Sequence, residues 1–422
     1  MSHVKGLRCR ECGEEYPAVM KNTCESCFGP LEVEYDWSEV DVSREEIESG
    51  PNSIWRYADL LPIDNEDSVV DLGTGFNHLY EADNLADELG IGELYILNDS
   101  VNPSFSFKDR VTGVAVAKAI EFGVDAIGCA STGNLASSVA AHAAKADLPA
   151  YIFIPDTIEK GKITQTLTYD PEIVPVEGNY DDANRLATEV ADENGWGFVN
   201  INLRPYYTEG SNTMAYEVAE QLGWEAPDHV VHPMAAGASL LSVQKGYKQL
   251  EKLGLIEDGD VKMSGSQPEG FPIAEAVRND EPVKPIQEYE TLAHSLAIGS
   301  PADGFYAKDA ILESGGYAAN PDDDAIIEGI KLLARTEGIF TEPAGGTTVA
   351  GLRQLAEEGR IDDDETVVVN ITGNGLKAES TLSEFVTVPE SISPSIGEFE
   401  DRKQRQKSKT KSKKEAVPGG DY

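Results

Sequence analysis

The sequence predicts an α/β fold with mainly parallel β-sheets. Short runs rich in β-branched residues recur between residues 45 and 385, and alanine-rich stretches of helical character lie between them. The runs cover residues 126–130, 150–155, 172–178, 229–234 and 366–373, and two of the helical stretches cover 135–146 and 213–224. Unbroken apolar strands that alternate with helices are typical of parallel sheets buried on both faces. Ligands of such sheets bind beyond the carboxyl ends of the strands, so the residues that follow each strand are the candidates for a binding site.

Length and charge set the broad class of the protein. A chain of 422 residues with 40% apolar residues fits two or three domains. With 75 acidic against 34 basic residues the formal charge is −41, which predicts a surface that repels nucleic acid and anionic membranes. We expect a cytoplasmic protein of a high-salt organism, and an acidic, cation-seeking protein is the alternative. The first residues lack the apolar segment of a secretion signal, and no stretch approaches the roughly 20 apolar residues of a membrane helix.

The first 27 residues contain a cysteine pattern that predicts a metal site. Cys9 and Cys12 form one C-x2-C pair, Cys24 and Cys27 form a second, and eleven residues separate the two pairs. Two such pairs place four thiolates tetrahedrally around one Zn²⁺. We therefore predict a zinc-ribbon-like segment over residues 1–36. A ribbon that binds no metal and a redox dithiol are the alternatives.

The most informative segment is NPSFSFKDR, which runs from Asn102 to Arg110 and leads into a predicted helix. Lys108 lies just before the helix start, where the positive helix end and partial burial favour the neutral amine. A lysine must be neutral to attack an aldehyde. The alternative is a surface lysine that pairs with Asp109.

Three further strand ends carry small or polar residues. Ser131, Thr132, Gly133 and Asn134 follow one strand and open a helix, whose free N–H groups can bind a carboxylate; an ordinary helix cap is the alternative.

Thr372 follows the residues VVVNI (367–371), where its hydroxyl can meet a ring nitrogen without imposing a charge; a plain turn at Gly-Asn-Gly is the alternative. The small residues Ala235, Ala236, Gly237, Ala238 and Ser239 follow the strand 229–234, and their backbone N–H groups can approach a phosphate.

Together these segments resemble the fold-type-II pyridoxal phosphate (PLP) enzymes, and the threonine synthase family most closely. The resemblance runs from about residue 7 to 385 and includes TEPAGGTTVAGL (341–352), TGNGLK (372–377) and SGSQPEGFPIAEA (264–276). It implies two three-layer α/β/α domains with mainly parallel sheets. The implied division is a larger PLP domain over 45–115 and 205–385, and a smaller mobile domain over 116–204.

The resemblance also implies a role for each motif residue. Lys108 would hold PLP as a Schiff base and then shuttle the proton. Asn134 would contact the phenolic oxygen of the cofactor, and Thr372 its pyridine nitrogen. Ala236, Gly237, Ala238 and Ser239 would bind the cofactor phosphate, and Ser131 and Thr132 the substrate carboxylate. The implied reaction converts O-phospho-L-homoserine and water to L-threonine and phosphate.

The substrate side departs from the family pattern, which typically reads Asn-Pro-aromatic-Arg. This chain has Tyr207 where the family has that arginine, and Arg204 lies three positions earlier; Ser211 and Asn212 replace a Gln-Lys pair. We expect Arg204 to contact the substrate. The alternatives are a cysteate synthase-like β-replacement enzyme, a serine or threonine dehydratase, and a non-catalytic zinc-ribbon protein that binds a partner.

The end of the chain is basic. Residues 402–414 hold eight Lys or Arg and no acid, so we predict a disordered tail over 386–422. A solvated tail is the first interpretation, and an arm that touches nucleic acid or an acidic partner is the second. The family resemblance implies a homodimer that acts on a small amino acid.

Overall fold

A computed structural model describes the backbone of residues 3–157 and 160–415, and the side chains of 3–157 and 163–405. The strands are β1 (Val4–Cys9), β2 (Glu15–Tyr16), β3 (Leu31–Tyr35), β4 (Leu79–Glu81), β5 (Glu93–Asn98), β6 (Ile127–Ala130), β7 (Ala150–Pro155), β8 (Glu172–Val176), β9 (Gly197–Phe198), β10 (His229–Pro233), β11 (Lys262–Ser266), β12 (Ala318–Ala319) and β13 (Thr366–Ile371). The α-helices are α1 (Arg44–Glu48), α2 (Asp83–Leu89), α3 (Lys108–Glu121), α4 (Asn134–Ala146), α5 (Lys160–Leu167), α6 (Tyr180–Asn194), α7 (Arg204–Glu209), α8 (Asn212–Gln221), α9 (Ala238–Lys252), α10 (Pro272–Arg278), α11 (Gly304–Glu313), α12 (Asp323–Glu337), α13 (Pro343–Glu357), α14 (Glu379–Ser383) and α15 (Ile396–Glu415). Short 3-10 helices cover Trp37–Glu39, Ile54–Leu60, Glu66–Ser68, Asp99–Val101, His294–Leu296 and Gly375–Ala378.

The larger sheet has six strands in the order β12-β11-β10-β13-β5-β4. All neighbours are parallel except β4, which runs antiparallel to β5 at the edge. Side chains of successive residues enter different cores: Val230 packs with residues of α8 and α9, whereas Val231 packs with residues of α12 and α13. Helices therefore cover both faces, which explains why the central strands are apolar without alternation.

The smaller sheet has four parallel strands in the order β8-β7-β6-β9. It repeats the same layering, because Cys129 packs with α4 and the next residue, Ala130, packs with α6. The predicted α/β fold with two three-layer sheets is confirmed. The strands of the smaller sheet lie in sequence between β5 and β10 of the larger one, and the predicted domain boundaries stay a prediction.

The N-terminal segment forms a three-stranded antiparallel sheet in the order β2-β1-β3. It packs against the α/β body, since the Tyr35 hydroxyl donates to Glu209 Oε2 at 3.0 Å and the Tyr206 hydroxyl donates to the Val19 carbonyl at 3.1 Å. The segment predicted to be a ribbon is thus held against α7.

The basic tail lies in a compact unit of its own. Residues up to Glu379 pack as one compact unit, and the described residues from Ser380 to Glu415 belong to a second, in which α15 covers Ile396–Glu415. The predicted disorder of residues 386–422 stays a prediction. Residues 398–415 contain neither Pro nor Gly and consist largely of Lys, Arg, Gln and Glu, which are strong helix formers. Residues 416–422 of the predicted tail lie outside the described residues.

Within the described part of the chain, none of the helices combines the length and the apolar composition that crossing a membrane requires.

Candidate active site

The residues singled out by the sequence follow the carboxyl ends of four strands. Lys108 lies ten residues after β5, Asn134 follows β6, Gly237 follows β10 and Thr372 follows β13 directly. Backbone contacts join two of these segments, because the Phe107 N–H donates to the Thr372 carbonyl at 2.9 Å. The parallel strands therefore gather the predicted site at one edge of the sheets.

Lys108 is the first residue of α3 and its side chain is half-buried. Its Nζ donates to the Tyr207 hydroxyl at 3.0 Å, and among the described residues it contacts no carboxylate within ion-pair distance. Asp109 instead accepts from the Ser104 backbone N–H and hydroxyl and from the Ser138 hydroxyl, each at 2.6 Å. The alternative of a surface lysine paired with Asp109 is therefore wrong.

The next residue in the motif anchors the segment. Arg110 is fully buried and forms two hydrogen bonds of 2.7 Å to Asp99 and two more to Glu217. Both carboxylates are also buried, so charge-assisted hydrogen bonds compensate each desolvated group. This network fixes the start of α3 and with it the Lys108 backbone.

Asn134 opens α4 and faces a buried acid that the sequence did not single out. Its Nδ2 donates to Glu342 Oε1 at 2.9 Å. Glu342 is buried beside Gly373, and burial raises the pKa of its carboxyl. An amide nitrogen carries two hydrogens, so Nδ2 retains a second one for a ligand.

Thr372 extends β13 into the site. The residue is 3% exposed, and its hydroxyl has no hydrogen-bond partner among the described residues. The hydroxyl oxygen is not among the fully buried polar atoms that lack a partner, so it is reachable from the site and available to a bound group.

The Gly237 loop forms the start of α9. Gly237 has a φ of +98°, and a Cβ at this position would lie 2.8 Å from Ala307 Cβ. Only glycine therefore fits without strain or a clash. No side chain caps the start of α9, so the N–H groups of its first turn remain available to an anion.

A buried histidine stands behind this loop. Nε2 of His232 lies 2.8 Å from the Ser239 Oγ, and Nδ1 lies 2.8 Å from Asn370 Nδ2. Desolvation, with a further contribution from the charge of Lys108, lowers the pKa of His232 to about 3. The imidazole is therefore neutral at physiological pH.

The predicted substrate residues fall into two groups. Ser131 and Thr132 are partly exposed in the loop that leads to Asn134. Arg204 begins α7 and pairs with Asp303, whose backbone N–H donates to the Ala236 carbonyl. Arg204 thus lies beside the Gly237 loop, but Asp303 already neutralises its charge.

A second lysine lies close to the site. Lys377 Nζ donates at 2.8 Å to the Ser104 carbonyl, the Ser137 hydroxyl and Gln165 Oε1. Burial lowers the pKa of this lysine to about 8. Its three hydrogens are all used by these bonds, which join the Lys108 segment to α4 and α5.

These features match the groups that PLP presents. The Gly237 loop offers backbone donors and a hydroxyl to a phosphate, the Thr372 hydroxyl is unpaired, Asn134 keeps an N–H, and Lys108 supplies an amine without a carboxylate partner. The residues present therefore fit PLP.

The sequence alone indicates no role for four residues of this site: Glu342, His232, Tyr207 and Lys377. Glu342 and Lys377 lie in segments noted for their resemblance, TEPAGG and TGNGLK, which was the only available signal. Their contacts join residues far apart in the chain, such as Asn134 and Glu342, and a single sequence does not display such contacts.

The four N-terminal cysteines form a compact cluster whose Sγ atoms all lie within 4.8 Å of one another. Cys9 and Cys27 are 3.4 Å apart, and Cys12 and Cys24 are 3.6 Å apart. A tetrahedron with Zn–S bonds of about 2.3 Å has edges of about 3.8 Å, so the cluster fits zinc.

Comparisons with known proteins agree with this geometry. A family model described as pyridoxal-phosphate dependent enzyme matches residues 70–373. The threonine synthase of Methanocaldococcus jannaschii is 41% identical over 88% of this chain and 92% of its own length. That of Methanosarcina acetivorans is 38% identical over 92% of this chain and 96% of its own. Threonine deaminase isoform 2 from Solanum lycopersicum, at 22% identity, shares the fold with a TM-score of 0.60 over 73% of this chain and 83% of its own. The chain therefore belongs to the threonine synthase family of pyridoxal-phosphate dependent enzymes.

Proposed function

We propose that this protein is a threonine synthase that converts O-phospho-L-homoserine and water to L-threonine and phosphate. The observation that carries the proposal is the amine of Lys108, which lies without a carboxylate partner among strand ends that fit PLP. Similarity to two archaeal threonine synthases along most of the chain supports the same reaction.

When bound, PLP supplies an electron sink that makes the protons on the carbons of an amino acid removable. Lys108 takes and returns these protons at Nζ, and Tyr207 holds that nitrogen in place. Thr372, which is neutral, leaves the ring nitrogen of the cofactor without an imposed charge. Ser131, Thr132 and the first turn of α4 bind the substrate carboxylate.

The leaving group needs a partner of its own. In the overall reaction phosphate leaves the γ-carbon and the hydroxyl from water ends on the β-carbon. We propose that Arg204, next to the Gly237 loop, contacts this phosphate after it loosens its pair with Asp303. Arginine binds phosphate with two parallel N–H groups, which makes it suited to this role.

A PLP-dependent dehydratase or β-replacement enzyme is the second candidate. It is favoured by the same two residues, because Arg204 is neutralised by Asp303 and Tyr207 occupies the place of the family arginine. Serine and threonine, the substrates of a dehydratase, carry no phosphate and need no phosphate-binding arginine, so these two residues favour the dehydratase over a β-replacement enzyme that uses phosphoserine.

The deciding assay supplies O-phosphohomoserine, phosphoserine with sulfite, and threonine in separate reactions at high salt. Threonine and phosphate in equal amounts from the first are expected. Cysteate from the second or a keto acid from the third, without threonine from the first, would support the second candidate. Lys108→Ala should abolish turnover, while Lys145→Ala, at an exposed lysine of α4, should retain it.

We propose that the cysteine cluster binds one structural Zn²⁺, because its spacing and its Sγ distances suit four thiolates.

We further propose a homodimer that works in the cytoplasm of a high-salt organism. The charge of −41 supports the salt adaptation, and the exposed apolar side chains of Val101, Phe105 and Leu376 near the site support a subunit contact. Light scattering should give twice the 45.6 kDa chain mass in molar KCl. A monomer under those conditions would contradict the dimer.

A further inference from the structure

We infer that His232 is a positioning residue of the cofactor site, which holds the Ser239 hydroxyl so that its hydrogen points at the phosphate bound by α9. The inference rests on the proposed use of PLP and adds to it a chain of three side chains, Asn370, His232 and Ser239.

The direction of each hydrogen bond follows from the donors available. Asn370 Nδ2 lies 2.8 Å from His232 Nδ1, and an amide nitrogen only donates. Nδ1 therefore accepts, and in a neutral imidazole the proton then resides on Nε2. Nε2 donates to the Ser239 Oγ at 2.8 Å. With its oxygen occupied as an acceptor, the hydroxyl keeps its hydrogen for a ligand.

The surroundings of Asn370 support this amide orientation. Its Oδ1 is buried and has no partner among the described residues. If the amide were turned over, Oδ1 would meet the histidine and both hydrogens of Nδ2 would be unpaired. Unpaired buried N–H groups are rarer than carbonyls that lack a partner, so the observed orientation is the better one.

Burial holds two of the three side chains in fixed positions. His232 is fully buried and Asn370 is 2% exposed, whereas Ser239, in the first turn of α9, is partly exposed. His232 lies on β10, and β10 pairs with β13, which carries Asn370. The sheet thus fixes the two buried members, and only the serine faces the ligand. A hydroxyl fixed before binding loses little rotational freedom when the phosphate arrives.

The test is a double-mutant cycle in the full-length protein with PLP as the probe. The dissociation constant of PLP is measured by fluorescence titration for wild type, Ser239→Ala, His232→Met and the double variant. Each single change should weaken PLP binding about tenfold, the effect of losing one hydrogen bond to a charged group. If His232 acts through Ser239, the double variant should also be about tenfold weaker and not a hundredfold.

Two further variants separate positioning from general damage. His232→Gln carries an N–H that can reach Ser239, so it should restore PLP affinity to within about threefold of wild type. His229→Met is the matched control, because His229 is equally buried, lies at the other end of β10 and contacts Ser264 and Glu365. This variant should leave PLP affinity unchanged. The phosphorus resonance of bound PLP should shift in the same direction in Ser239→Ala and His232→Met.

Several results would overturn the inference. Wild-type affinity in His232→Met, additive effects in the double variant, or no rescue by His232→Gln would each contradict it. Wild-type protein that fails to bind PLP would instead contradict the proposed function, so the two failures are distinguishable.

Discussion

Replacing Arg110 with methionine tests whether the buried ion network fixes the segment that carries Lys108. Methionine has a similar length and no charge, so the change removes the hydrogen bonds to Asp99 and Glu217 and leaves little cavity. Both carboxylates are at most 2% exposed, so neither gains solvation in exchange.

The expected loss in the free energy of unfolding follows from the two buried carboxylates that lose their partner. Removing one partner of a buried ion pair costs about 3–5 kcal/mol, because the remaining charge stays desolvated. Arg110 serves two carboxylates, so we expect a loss at the upper end of that range, about 4–5 kcal/mol. A whole domain is stable by only about 5–15 kcal/mol, so the loss should be obvious.

The pH dependence gives a sharper check. Burial already raises the pKa of Glu217 in the wild type, and the loss of Arg110 raises it further. A carboxyl whose pKa is higher in the folded state than in the unfolded state binds its proton preferentially in the folded state as the pH falls. The deficit of Arg110→Met relative to wild type should therefore be smaller at pH 5 than at pH 7.

The assay is urea unfolding followed by tryptophan fluorescence at fixed high salt. Arg185→Met is the control, because Arg185 forms an exposed pair with Glu189 and its loss should change stability by no more than about 0.5 kcal/mol. A similar small change for Arg110→Met, or a deficit that does not depend on pH, would refute the role of the network.

Three more predictions follow from single sites. Cys9→Ser should lower bound zinc from about one ion per chain to near zero, while Cys129→Ala should not; unchanged zinc in Cys9→Ser would place the metal elsewhere. Gly237→Ala should weaken PLP binding at least about tenfold, because the new Cβ would clash with Ala307. Gly223→Ala should not weaken it, because Gly223 also has a positive φ but a Cβ there meets no atom within 4 Å. Equal losses of PLP affinity in the two variants would mean that backbone strain, and not the clash, causes the loss. Burial lowers the pKa of Lys377 from 10.5 to about 8. The stability of wild type relative to Lys377→Met should therefore increase as the pH rises from about 8 to 10.5. A difference in unfolding free energy that does not change with pH would contradict the burial of this amine.

Local chemistry made part of the site predictable. Lys108, Asn134, Gly237 and Thr372 each follow a strand and begin or precede a helix, and that pattern is visible within ten residues of sequence. The parallel sheets then bring these strand ends to one edge. Pattern and residue type are sufficient to predict this clustering because each residue lies where its own strand ends.

The rest of the site depends on contacts between distant segments. Glu342 meets Asn134 across 208 positions, and Tyr207 meets Lys108 across 99. Arg204 illustrates the same limit, because Asp303 pairs with its guanidinium and no sequence pattern predicts that ion pair. The tail is difficult to predict for a different reason: its high charge favours disorder, whereas the helix propensity of its residues favours α15.

The central claim is that Lys108 is the lysine that binds PLP. The most direct measurement treats the PLP-loaded protein with borohydride, which fixes the cofactor to its lysine, and maps the modified peptide by mass spectrometry. We predict one modified site, at Lys108, and none in Lys108→Ala. A label on the half-buried amine of Lys377, or no label on a protein that binds PLP, would contradict the account.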